Sequence, residues 1–316
     1  MARSTGVPGA RAQRRPATVL DALPAWATTG VGSLPHTFPE HAAAHVLGEY
    51  DVPFCPQLPR LEGDMVREWL GADPADCAWS PERDRERPAA WDAFLAALAR
   101  RPPEHRVVKL QVTGPVTLAR ALEPDAARAA RPLAREIATW LAANAAGQVE
   151  ALRARGLHAL LVVDEPALAA RAAAPEVWEP LRAVAPAWGL HLCCAVPWGL
   201  VERAAPDVLS FDLARGGLDR RGAHAVRAHL ARGGRVAWGV LAAHRPERAA
   251  HAAWRLCAAL ARAGLSAATA GPSSLLTASC GTGRLSPRRE AEVTAALCSV
   301  ATSARHGAVR DVRGRA

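Results

Sequence analysis

No pair of cysteines in this chain is spaced C-x-x-C, so readings of the zinc-finger type fail at once. No apolar run approaches the ~20 residues that a membrane-spanning helix needs, and a membrane partner is not expected. The first residues, MARSTGVPGARAQRRPA, are basic but no apolar core follows them, so a secretory signal is not expected either and the cytoplasm is the default. Aromatic residues make up only 5% of the chain, and no basic stripe with interleaved aromatics runs through its body. The net charge of +9 is therefore weak support for nucleic-acid binding. Most of it belongs to the ends. Residues 1–17 carry Arg3, Arg11, Arg14 and Arg15 and no acid; residues 304–316 carry Arg305, Arg310, Arg313 and Arg315 against Asp311. Both segments read as disordered basic tails flanking one domain over 18–303.

Seven cysteines, an odd number without an export signal, read as reduced thiols, any special one being a ligand or a nucleophile. Half the residues are hydrophobic and 22% are charged, as in ordinary globular proteins. Short apolar runs alternate with longer Ala-, Leu- and Arg-rich stretches of helical period, the pattern of strand-helix units around a parallel sheet. The expected strands are 28–34, 52–58, 106–114, 159–166, 189–196, 207–214, 235–243 and 274–281. Helices are expected over 125–155, opened by Pro124-Asp125 and closed by Gly156, and over 246–263, opened by Pro246 and followed by Gly264. Segment 78–105 reads as a charged loop followed by a short helix. The fold class expected is α/β, a (β/α)8 TIM barrel of roughly 250 residues.

In such a barrel the functional groups sit at the carboxyl ends of strands, and the polar exceptions here fall late: Asp164, His191 with Cys193, Asp212, His244 and Cys280. His191 and Cys193 are i, i+2 on a strand and share a face, whereas Leu192 and Cys194 point the other way. An imidazole and a thiolate on one face, joined by a third ligand such as Cys280 from another strand, would make a tetrahedral zinc site with an open position. The glycines after Cys280 are read as letting the backbone turn tightly. His41 and His45, i, i+4 without an intervening glutamate, read as helix surface, and Cys194, Cys257 and Cys298 as packing.

Eight motifs along residues 27–285 carry a family resemblance: TTGVGSLPHT (28–37), GDMV (63–66), VTGPVTLA (112–119), VVDEPAL (162–168), HLCC (191–194), LSFD (209–212), GVLAAHRP (239–246) and SCG (279–281). In this order they resemble the carboxyl-terminal catalytic barrel of cobalamin-independent methionine synthase, within the methionine synthase and uroporphyrinogen decarboxylase-like superfamily. The resemblance implies Zn2+ held by His191, Cys193 and Cys280. It implies a carboxylate on the LSFD strand as fourth ligand, here Asp212, one methylene shorter than the family's glutamate. Asp164 would bind the ammonium of an amino-acid thiol such as homocysteine, and Ser33 its carboxylate. Met65 would line the pocket, Glu62 would stand in for a glutamate missing upstream of DMV, and His244 would be the proton donor. Glu165 faces away from Asp164 and reads as structural.

The features tied to folate recognition are not carried over: Ala170 and Ala121 replace a glutamate and a tryptophan, and the chain has room for one barrel only. Methylcobalamin or a corrinoid protein is then the expected methyl donor. Three other readings stand beside methionine formation: a zinc-dependent thiol alkyltransferase of the coenzyme M type, a cofactor-free decarboxylase, and a non-catalytic binding protein of the same fold.

Overall fold

The strands follow from alternate burial. Along Val107–Thr113 (β2), Val108, Leu110 and Val112 join the large core shared with the helices, whereas Val107 joins a second, smaller cluster. His158–Asp164 (β3) alternates in the same way, Leu161 and Val163 facing the helices and Leu160 and Val162 the smaller cluster. Period-2 alternation with both faces apolar is what a parallel sheet covered by helices and filled by its own side chains requires.

The computed structural model describes residues 18–83, 87–124, 130–168, 173–245 and 247–307. The expected tails over 1–17 and 308–316, the helix openings at Asp125 and Pro246, and Ala170 lie outside the described residues. Besides β2 and β3 there are Ala27–Thr28 (β1), Ala187–Leu192 (β4), Val208–Asp212 (β5), Arg235–Leu241 (β6) and Ser274–Ala278 (β7). All are parallel, in the order β1-β7-β6-β5-β4-β3-β2. Strand and helix alternate around this sheet, which is an α/β fold of the TIM-barrel kind.

The expected strand over 52–58 is the exception. It makes only two isolated bridges, Ser33 with Gln57 and Phe54 with Lys109. Pro53 and Pro56 explain this, since each lacks the N–H that a ladder needs. The segment is nonetheless bonded on both sides: Val52 N donates to Thr28 O at 2.9 Å and Gln57 N to Gly32 O at 3.1 Å, while Cys55 N donates to Lys109 O at 3.1 Å. It therefore lies between β1 and β2, the two ends of the sheet order.

The smaller cluster contains Leu20 and Leu23, from the 3-10 turn Val19–Ala22 and the residue after it, packed on Val107, Ala187 and Val208 at the strand starts. This plug seals the amino-terminal end and leaves the carboxyl ends open. Polar residues occupy the same inward face further along: Lys109, Gln111 and Thr113 on β2, Asp164 on β3, His191 on β4 and Ser210 on β5 are all buried. Thr113, Asp164, His191 and Ser210 are consecutive register partners, forming one row across four strands.

The structure also corrects a boundary and a surface assignment. The last helix, Pro287–Arg305, runs into the segment assigned to the basic tail. Arg305 is held there, donating to the carbonyls of Ala25 and Trp26 and pairing with Asp51. His45 is not helix surface: its Nε2 lies 3.3 Å from the buried Glu290, which also accepts from the Tyr50 hydroxyl at 2.9 Å. No helix of the described residues is long and apolar enough to cross a membrane.

Candidate functional site

The carboxyl ends of β3, β4 and β7 converge on a cavity of about 250 Å3. Ser33, Met65, Asp164, His191, Cys193 and Cys280 all line it. These are six of the nine residues singled out from the sequence. His191 is the last inward residue of β4 before the strand ends at Leu192, and Cys193 follows two residues on. Cys280 sits two residues past the end of β7, on a loop pinned by Ser279 N to Leu241 O at 2.7 Å.

The glycines after Cys280 serve space rather than a turn. Neither Gly281 nor Gly283 has a positive φ. A Cβ on Gly281 would lie 2.1 Å from Ser33 Oγ, and one on Gly283 would lie 2.4 Å from Pro59. The loop thus packs directly on the β1 side of the cavity, where Thr282 N and Oγ1 both donate to Ser33 O, at 2.9 and 3.1 Å. Gly283 N donates to Ser33 Oγ at 3.3 Å.

His191 is buried, its Nδ1 is 2.8 Å from Ser210 Oγ, and its Nε2 is buried without a hydrogen-bond partner. An imidazole fixed through one nitrogen with the other presented bare is the arrangement of a metal-ligating histidine oriented from behind. The Cys193 thiol beside it, and then the imidazole of His191, hold the Cys280 thiol down to about 4. The same contact with Cys280, together with burial, pushes the Cys193 thiol up. One thiolate, one thiol and one bare imidazole nitrogen match the donor chemistry that zinc takes. As they stand, no three His, Cys, Asp or Glu side chains among the described residues are gathered closely enough to hold an ion.

Asp212, Glu62 and His244 do not line the cavity. Asp212 ends β5 and caps the turn Leu213–Gly216, its Oδ1 accepting from Arg215 N at 2.9 Å. Burial raises its pKa against the opposing backbone N–H groups of Arg215 and Ala214; Cys280 adds to the rise and His191 opposes it, so the carboxylate stands within electrostatic reach of both. Glu62 accepts from Ala89 N at 2.8 Å and so holds the start of the helix Trp91–Arg100. His244 is exposed on the loop after β6. Glu165 faces outward and caps the helix Pro115–Leu122. Its carboxylate accepts from Val116 N, Thr117 N, Thr117 Oγ1 and Trp178 Nε1 at 2.7–3.1 Å.

Asp164 has one carboxylate oxygen buried without a partner. Burial raises its pKa to about 6, opposed by His191 and then by Lys109. Lys109 itself escaped the sequence reading, although two signals marked it. It is a single lysine among 39 basic residues, and Lys109, Gln111 and Thr113 are polar at alternate positions of an apolar strand. Its Nζ donates to Gln111 Oε1 at 3.1 Å and to the carbonyl of Val31, which lines the cavity. Burial pushes its pKa down to about 8, opposed by the charge of Asp164.

The depressed value sets a sign. Below pH 8 Lys109 is charged in both states and its burial cost is fully present; between pH 8 and 10.5 the unfolded chain binds the extra proton and stability rises with pH. At about 1.4 kcal/mol per unit the gain from pH 8 to 9.5 is ~2 kcal/mol. Urea unfolding of wild type and Lys109→Met at the two pH values should reveal this difference between them. Equal pH dependence of the two proteins would rule it out.

No protein-family model matches the chain, and no curated protein matches it. Among solved structures it is similar to a B12-independent methionine synthase from a Shewanella species, in complex with selenomethionine. That match has 15% identity and a TM-score of 0.67 over 90% of this chain and 99% of that one. It is also similar to a methyltransferase from Methanosarcina mazei, at 16% identity and a TM-score of 0.55 over 90% of this chain and 96% of that one. At these identities the likeness establishes the fold.

Proposed function

We propose that this chain is a zinc-dependent methyltransferase whose catalytic domain is a single eight-stranded barrel over 18–303, with segment 52–58 as the eighth strand position. It methylates a thiol, homocysteine, to give methionine. The observation that carries this reading is the convergence on one cavity of His191, Cys193 and Cys280 with Asp164, one of whose carboxylate oxygens is buried without a partner, as is the His191 Nε2.

His191, Cys193 and Cys280 would hold the zinc, with Asp212 as the nearby carboxylate that completes or steadies the set. Bound there, zinc supplies the positive charge that keeps a substrate thiol ionised and nucleophilic at neutral pH. The chain's own residues do the rest. Ser210 fixes the imidazole of His191. Asp164 presents a carboxylate oxygen with no protein partner, complementary to an α-ammonium group, and Ser33 borders the space where an α-carboxylate would lie. Met65 gives the pocket an apolar wall against the methylene chain of the thiol. His244 would act from the rim, relaying to solvent the proton that the substrate thiol gives up on becoming a thiolate.

The structural neighbours named as a methionine synthase and a methyltransferase support this reading, as does selenomethionine, the methionine analogue in the first of them. The unpartnered Asp164 oxygen favours an amino-acid thiol over the coenzyme M type, which has no ammonium group. The donor proposed is methylcobalamin or a corrinoid protein rather than polyglutamyl folate, because Ala121 stands where folate recognition would need a tryptophan.

Purified protein is expected to hold about one zinc per chain. With homocysteine it should form methionine from methylcobalamin and not from polyglutamyl methyl-folate. Methionine from folate alone would overturn the donor assignment. Absence of product with either donor and with S-methylmethionine would overturn the activity.

A further inference from the structure

A second cleft lies outside the barrel, beside the carboxyl ends of β6 and β7, with a volume of about 730 Å3. It lies between the loop after β6, the helix Ala249–Ala263 and the first turn of Pro287–Arg305. Arginine is the default base of this chain, so a cluster of arginines by itself says little. The cleft differs from a solvated arginine face in three ways.

Its floor is built. Arg255 and Glu247 form an ion pair whose side chains are 15% and 7% exposed. The pair is tied to the end of β6, Arg255 donating to the Val240 carbonyl and Glu247 accepting from Ala242 N at 3.0 Å. One wall is anchored as well: Arg289 donates to the Arg245 carbonyl at 2.8 Å and to Glu292 at 2.9 Å. Second, the cations outnumber their partners. Arg245, Arg248, Arg255 and Arg289 line the cleft with Glu247 as its only acid, and the side chains of Arg248 and His251 make no hydrogen bond or ion pair with any described residue. Third, the rim carries Trp254, 63% exposed. An indole left in water beside guanidinium groups forgoes most of its burial energy unless something planar covers it.

We propose that this cleft is a binding site for a phosphorylated ligand with a planar ring, of the nucleotide kind, its phosphates on Arg248 and its neighbouring guanidiniums and its ring on Trp254. Guanidinium forks match phosphate oxygens in pairs, and the buried Arg255–Glu247 pair holds the floor rigid without neutralising the outer cations. The cleft volume lies in the range of small-molecule sites. Ser279 joins it to the cavity: its Oγ accepts from Ala243 N at 3.3 Å, and Cys280 is the next residue. The site is independent of the methyl-transfer reading, because none of its residues lines the cavity of His191, Cys193 and Cys280.

The test is calorimetric titration of the full chain at low salt with adenosine triphosphate, inorganic tripolyphosphate and a glutamate trimer. Adenosine triphosphate should bind one per chain and more tightly than either of the others. Arg248→Glu should weaken it at least tenfold. Trp254→Leu should reduce it to the affinity of tripolyphosphate while leaving tripolyphosphate itself unchanged. Zinc content, measured on the same samples, should not change in either variant. No saturable binding, equal binding by both variants, or tighter binding of the glutamate trimer would each overturn the proposal.

Discussion

Replacing Cys280 with alanine is expected to abolish metal retention and to lower methyl transfer by about 10^3-fold or more, the scale seen when a group essential to the reacting centre is removed. Cys280 is the one thiol of the cavity held down to about 4, whereas burial or neighbours push Cys193, Cys194 and Cys298 up. In the proposed set it would also be the ligand contributed by a separate strand end, so its loss would leave His191 and Cys193, both at the end of β4, to hold zinc alone. A second readout follows from the same asymmetry. In metal-stripped protein at pH 6, below the ordinary thiol range, iodoacetamide should label Cys280 first, because its neighbours hold its thiol down. Zinc that stays bound in Cys280→Ala at one per chain would remove Cys280 from the ligand set. Uniform labelling of the cysteines at pH 6 would remove its special ionisation.

The strand-borne part of this site was legible because strands impose a period. Asp164 and His191 each sit on the inward face of a regular ladder, with Cys193 two residues further on, and the register carries Asp164 directly beside His191. Where the backbone leaves that regime the reading weakens. Glu62 lies close in sequence to the DMV motif, but Gly63, at φ +83, breaks the segment into two short helices, Pro59–Glu62 and Met65–Leu70. Glu62 is thereby turned toward Ala89, while Glu68, on the second helix, lines the cavity and accepts from Gln57 Nε2 at 2.7 Å. His244 stands beyond the end of β6, past a register shift between Gly239 and Leu241, and no periodicity fixes its direction there. The glycines at 281 and 283 were visible as glycines; that they make room for Ser33 and Pro59 depends on two distant segments meeting. Segment 52–58 reads as a strand by composition, and its prolines leave it the position of a strand without the ladder.

The row Thr113, Asp164, His191 and Ser210 places an acid next to the imidazole, with the buried Lys109 two inward positions below it on β2. The charges alternate from the barrel centre to its mouth: the cation of Lys109, the carboxylate of Asp164, then the imidazole and thiols. Lys109 and His191 both favour the ionised form of Asp164 and burial opposes them, which leaves its value at about 6. Near neutral pH the carboxylate is thus charged, with one buried oxygen unpartnered, the state suited to receive a cation from the cavity side.

That state makes Asp164→Asn the sharpest test of the substrate. Truncating one partner of a buried charge pair costs about 2–5 kcal/mol, or roughly 30-fold to 5 × 10^3-fold in affinity. The KM for homocysteine is expected to rise by about that factor, with a much smaller fall in kcat, while zinc content and the rate with mercaptoethanol, which has no ammonium group, stay unchanged. The wild-type KM should rise as pH falls through about 6, because protonation removes the charge that holds the ammonium; in Asp164→Asn that step should vanish. A KM for homocysteine unchanged by the substitution would move the ammonium site elsewhere, with Glu68 next to be tested, since Asp64, the third carboxylate of the cavity wall, is engaged in capping the helix Met65–Leu70. An equal loss with mercaptoethanol would mean that Asp164 acts on the thiol end, through its neighbour His191, and not on the amine.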